Sequence, residues 1–240
     1  MQTMTRTEAC QCLERVTDAI AEIDQECRTL LDNIEHGLVN VKLEFRDRAL
    51  QKSGKNLTEE GLIAWLVHQK VGHAGQKVEW EVPYPGVCGR KCDLVMHTAS
   101  ACRLWLELKL AWKAWFNCQG GATYSNGNYL PYLQGKHHTH SFRHDFEKLG
   151  SANVRESDCR AVCLIGFDWV QAPMDAEVAA VVEAARQDDG PWEAATARRW
   201  QDRRCRDFRI SVWSWVLPSQ PKHAELGAAP DGGRKAGGRC

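Results

Sequence analysis

Asp93, Glu107 and Lys109 are two acids and a base within one short stretch of chain. Carboxylates bind hard divalent cations such as Mg²⁺, which keeps several waters, so one to three protein carboxylates suffice. A cation so held activates water and neutralises charge on a phosphate, which are the two needs of phosphodiester hydrolysis near neutral pH. A lysine beside it can orient or deprotonate the attacking water, or stabilise the charge that develops. Such chemistry requires the three side chains at one point. Glu107 and Lys109 are two residues apart, so on a strand both face the same way. If a turn spans residues 97–101, antiparallel pairing sets Asp93 opposite Glu107. A one-residue slip would send Asp93 to the other face. Charges alternating along a strand also describe an ordinary solvated face, and spacing alone does not separate the two.

The elements that must position these residues are three short strands: Val78–Tyr84, Lys91–His97 and Arg103–Leu110. On the third, Leu104, Leu106, Leu108 and Leu110 alternate with Arg103, Trp105, Glu107 and Lys109, so a leucine face is available for burial behind the charges. The small residues Thr98–Ala101 supply the turn. Upstream, a helix is expected from Leu57 to about Lys70, with Asn56 as N-cap and Glu59 three residues on. Further upstream, residues 5 to about 50 read as helix. Leu13, Val16, Ile20, Ile23, Cys27, Leu30 and Ile34 form a heptad seam, which suits a coiled coil or a helix packed on its own domain. Downstream, 111–140 reads as a long loop rich in aromatics, Gly and Asn. A helix follows at Ser141–Leu149, then a doubly buried strand at Ala161–Phe167, a helix at Ala176–Arg186, a basic helix at Trp192–Arg206 and a last strand at Phe208–Leu217. Three regions result: a helical segment 1–52, a principal domain 53–217 and a disordered tail 218–240 rich in Pro and Gly.

The stretch EVPYP, GRKCDLVM and CRLWLELKLAW resembles the core of the restriction-endonuclease-like PD-(D/E)XK nuclease superfamily, in which an Asp opens the second strand and an acidic-x-Lys triplet lies on the third. Asp93, Glu107 and Lys109 match those positions. Cys92 stands where a Pro often precedes the Asp. HDFEKLG, from His144 to Gly150, is similar to an Asp-x-x-Lys-Leu helix before the fourth strand, with Asp145 and Lys148 in the matching places. The match covers about 57–170. The resemblance implies an α/β sandwich with a mixed central sheet flanked by helices, here with an N-terminal helical extension. It implies Mg²⁺, with Mn²⁺ able to substitute, and DNA as substrate; RNA or branched DNA remains open. It also implies a Glu from the helix before the first strand as a further ligand. Glu60 is the first choice, Glu59 the second and Glu44 the third.

Lys+Arg and Asp+Glu both total 31, so nucleic acid would have to bind a local basic patch rather than a basic chain. Candidates are Lys113, Lys136, His137, Arg143, Arg199 and Arg203. His138, His140 and His144 have a spacing that could suit zinc, but they lack an acidic or Cys partner pattern. Trp112, Trp115 and Phe116 beside Lys113 suit base stacking, core packing or a protein interface. The eleven cysteines form no paired CxxC, and neither an N-terminal apolar core nor a run of about 18 apolar residues exists. A cytoplasmic protein with reduced thiols and no membrane contact is expected. Its partners are then DNA and, through the N-terminal helix, a second copy or another protein. A non-catalytic subunit using the same fold as an interaction scaffold is the competing reading.

Overall fold

The computed structural model describes residues 2–30, 47, 49–55, 57–116, 123–135, 141–201 and 206–218. The chain opens with α1 (Arg6–Leu30), whose start is fixed by a capping box: Thr5 N donates to Glu8 Oε2 at 2.8 Å and Glu8 N to Thr5 Oγ1 at 3.2 Å. Helix α2 runs Glu59–His73. Its N-cap is Thr58, whose hydroxyl accepts from Gly61 N, and not Asn56, which lies outside the described residues. Strands β1 (Val78–Pro83), β2 (Lys91–His97) and β3 (Arg103–Trp112) follow as an antiparallel meander.

The expected loop after β3 contains structure: β4 (Ala114–Phe116) and β5 (Thr123–Ser125) pair as a small second sheet, and α3 (Leu130–Gln134) is a short helix. Then come α4 (Phe142–Gly150), β6 (Cys159–Trp169), α5 (Asp175–Asp188), β7 (Glu193–Gln201) and β8 (Phe208–Leu217). The sheet order is β1-β2-β3-β6-β8-β7. Among the described strands the β3–β6 pair alone is parallel, so the chain is α/β with a mixed six-stranded sheet. Its crossover carries α4.

Two apolar layers cover the sheet. The even leucines of β3 pack with α1 and α2 on one face, while Trp105, Phe142, Phe146 and Val181 fill the other with α4 and α5. Each face thus sits between helices, and β6 and β8 are buried on both sides as their apolar runs require.

One expected element is corrected here. The basic helix at Trp192–Arg206 is the strand β7 through Gln201, paired along β8 from Glu193↔Val216 to Gln201↔Arg209. Ala and Arg favour helix, but the open edge of β8 offers a row of hydrogen bonds that outweighs so weak a preference. Of the two readings of the N-terminal seam, its described part fits the helix packed on its own domain: Leu13, Val16, Ile20 and Ile23 lie in the same core as α2 and the sheet. The segment 1–52 therefore shares its core with 53–217 at least through α1. Ile34, the end of the seam, and 219–240 of the tail lie outside the described residues. Among the described residues no helix is long and apolar enough to cross a membrane.

Candidate active site

β2 and β3 pair from His97↔Arg103 to Leu94↔Leu106 and then part. Continued by one step, this register sets Asp93 level with Glu107, as the turn length predicts. At the same level β1 is kinked. Glu81 adopts φ 51, in the left-handed region, and the β1–β2 ladder passes from Trp80↔Leu94 to Val82↔Cys92. The sheet is thus loosened on both sides of Asp93. β3 stays paired with β6 through Trp112, but beyond Leu106 two of its backbone donors go to carboxylates instead of a strand. Leu108 N donates to Asp93 Oδ2 at 2.8 Å, and Leu110 N to Glu60 Oε2 at 3.0 Å. The other Glu60 oxygen meets Lys109 Nζ at 3.2 Å. Glu60 therefore reaches the hairpin from the first turn of α2. Glu44 lies outside the described residues.

Glu107 is only 2% exposed. Its Oε1 accepts from the Tyr84 hydroxyl and pairs with Lys148 Nζ at 2.7 Å. Lys148 lies over the Tyr84 ring, and Tyr84 stacks on Trp105, so Glu107 is held in an aromatic corner. Asp145, one helical turn before Lys148 on α4, is buried, and its Oδ2 has no hydrogen-bond partner among the described residues. Ser141 caps this helix, accepting from His144 N at 3.2 Å, which fixes where both side chains point. Cys92 is buried beneath, its single S–H shared between Leu94 O and Leu106 O at 3.2 and 3.3 Å.

The cluster holds four carboxylates (Glu60, Asp93, Glu107, Asp145) and two ammonium groups (Lys109, Lys148). Burial with too little positive charge pushes proton affinities up. Burial, then the Glu107 charge, raises Asp93 well above the usual carboxylate range. Burial lifts Glu107 to about 7 against the pull of Lys148, and lifts Asp145 to about 8 against the pull of Lys109. Burial alone would lower both lysines. Glu60 and Asp145 outweigh it at Lys109, and Glu107 and Asp145 at Lys148, so both ammonium groups stay charged.

The donors suit a hard divalent cation in kind: they are carboxylate oxygens that outnumber the two ammonium groups, and one of them is buried without a partner among the described residues. They do not form a ready cage. No group of three or more His, Cys, Asp or Glu among the described residues is set to hold a metal ion. Lys148 and Lys109 draw Glu107 and Glu60 apart, and a cation would have to compete with these two ion pairs.

The other predicted residues are elsewhere. Lys113 is buried, bonded to Pro173 O at 2.7 Å and paired with Glu177, so it is an internal tie and no surface contact. Arg143 is held by Asp188 and Asp189 across the α4–α5 contact, which removes it as a free phosphate ligand. Arg199 is exposed, but on β7, paired with Asp175 and lying over Trp213. Trp112 stacks flat on Phe167 with ring centroids 3.8 Å apart, so that face is core. Lys136, His137, His138, His140 and Arg203, with the side chains of Trp115 and Phe116, lie outside the described residues.

The site also contains Tyr84 and Cys92, to which sequence reasoning gave no role, and it gives positions to Asp145 and Lys148, seen only as a motif. The signal for the last two was their spacing of three on a capped helix, which puts them on one face. Tyr84 lies just past the end of β1 and carries no such signal. Comparison with family models, curated proteins and solved structures finds no match to this chain.

Proposed function

We propose that this chain is a Mg²⁺-dependent endonuclease with the restriction-endonuclease-like PD-(D/E)XK fold, hydrolysing phosphodiester bonds in DNA. The observation that carries this reading is the meeting of Glu60, Asp93, Glu107 and Lys109 where β2 and β3 part. The order α2-β1-β2-β3-α4-β6, with β4, β5 and α3 inserted between β3 and α4 and with β3 and β6 parallel, supports it. Asp93 and Glu107 would hold Mg²⁺, or Mn²⁺ in its place, and Glu60 would complete the set directly or through water. When bound, the cation supplies Lewis acidity to water and phosphate. Lys109 positions the attacking water or stabilises charge on the phosphate. Tyr84 and Lys148 orient Glu107.

DNA is the leading substrate, with RNA and branched DNA as arms of the same test. A cytoplasmic setting, in bacterial defence or DNA processing, fits the expected reduced thiols. A second copy or partner protein could dock on α1 only by its outer side, since the described seam is inside the fold. One observation favours a non-catalytic scaffold: both lysines already neutralise carboxylates and no three-ligand group is preformed among the described residues.

Purified chain with supercoiled plasmid and Mg²⁺ decides. Wild type should nick or linearise it, and Asp93→Ala and Lys109→Ala should each lower the rate about 100-fold or more. Cleavage that persists in either variant removes the assignment. Failure to cut plasmid, RNA or branched DNA, with a defined stable partner complex, favours the scaffold.

A further inference from the structure

The proposed site places the cation with Glu60, Asp93 and Glu107 and leaves Asp145 without a task. Asp145 is 7% exposed, and its Oδ2 is a buried carboxylate oxygen with no hydrogen-bond partner among the described residues. Such atoms are rare, because a buried polar group left without a partner keeps the full cost of its lost hydration. The neighbouring cations do not resolve it. The contacts of Lys109 Nζ and Lys148 Nζ within bonding distance go to Glu60 at 3.2 Å and to Glu107 at 2.7 Å. Both act on Asp145 through space, as do the like charges of Glu60 and Asp93. An acid in the first turn of α4 is favoured by the helix dipole, but that role would be met by a carboxylate turned to solvent or to the free backbone donors. Asp145 instead faces the cluster. Glu60, Asp93, Glu107 and Asp145, once ionised, would outnumber Lys109 and Lys148 by two charges, which one divalent cation would balance in place of the protons that the buried acids otherwise hold.

Building on the reading of this cluster as a divalent-cation site, we propose that Asp145 is itself a ligand of that cation, its Oδ2 supplying an oxygen from α4. The hairpin, α2 and α4 then close on one ion from three sides. The cation relieves the charge deficit that the lysines leave, and α4 is coupled to the site through a bond rather than through packing alone.

Mn²⁺ binding to the full chain tests this without relying on cleavage, read by calorimetry and by the electron paramagnetic resonance signal of free Mn²⁺. Wild type should bind one ion per chain. Asp145→Asn keeps the shape and removes the charge. It should weaken binding by about tenfold or more, leave the metal-free Tm unchanged or higher, and abolish most of the Mn²⁺-induced Tm rise. Asp145→Ala gives a second reading of the same loss. Unchanged Mn²⁺ affinity in both variants overturns the proposal, as does a lowered metal-free Tm with the Mn²⁺-induced rise intact, which would mark a structural acid. A wild type that binds no Mn²⁺ overturns it as well. The nuclease reading fails separately: a chain that binds Mn²⁺ through Asp145 and cuts nothing keeps this ligand and loses that activity.

Discussion

Glu107 is the residue on which the proposed chemistry turns, and its surroundings set its pH dependence. Burial raises it to about 7, while Lys148 and the Tyr84 hydroxyl favour the carboxylate. Tyr84→Phe deletes one donor and keeps the ring against Trp105, so the Glu107 pKa should rise further. The acid limb of the plasmid-cleavage profile should move to higher pH, with the rate recovering at alkaline pH. A uniform loss at every pH would mean that Tyr84 serves something other than Glu107. The same shifts govern stability. Glu107 at about 7 and Asp145 at about 8 lie above their ordinary values of 4.5 and 3.8, so between those limits the folded chain holds protons that the unfolded chain has released. Their contribution to stability is full at acid pH and is lost as pH rises through about 7 to 8. In EDTA, Tm should fall between pH 6 and pH 8.5, and Glu107→Gln should flatten the slope. A Tm that climbs over that window would show these carboxylates to be ionised and paired.

The β2–β3 hairpin is the element that sequence conveyed best, for physical reasons. The leucine alternation of β3 marks which face is buried, and a five-residue turn leaves one register that buries it. The turn hides one strain: Ala101 has φ 60. Ala101→Gly should stabilise the chain by roughly 0.5–1 kcal/mol in urea titrations, and a loss would show that the methyl group packs usefully. The kink at Glu81, which loosens the sheet beside Asp93, has no sequence mark, since Glu is not a residue that favours a positive φ. β7 was illegible for the opposite reason: its Ala and Arg content speaks for helix, and only the waiting edge of β8 reverses it. Asp145 and Lys148 were visible as a motif, but their role depends on the α4 crossover, which spacing does not encode. β6 also carries a constraint that only packing reveals. A Cβ on Gly166 would stand 2.6 Å from a Trp213 ring carbon and 2.8 Å from Met174 Sδ. Gly166→Ala should therefore cost about 1–3 kcal/mol, and a neutral result in the same titration would mean that Trp213 can turn away.

At the scale of the whole molecule the question is what α1 does. Its 3-4 spacing fits a coiled coil and a core helix alike, because both bury one stripe of a helix. Three-dimensional neighbours decide between them. Ile20 and Ile23 are fully buried against this chain's own sheet and α2, Trp200 Nε1 bonds Asp24 at 2.8 Å, and Thr17 Oγ1 returns to Leu13 O. α1 is thus a wall of the same core that backs β3, and the leucine face behind Glu107 and Lys109 rests in part on it. Ile20→Ala should cost about 2–5 kcal/mol, far more than an exposed seam position of a monomer would. The urea midpoint, for wild type and variant alike, should not move with protein concentration, since Ile20 packs within its own chain. A midpoint that rises with concentration in wild type and loses that dependence in Ile20→Ala would place the seam between two chains instead, and the backing of the site would then depend on the dimer.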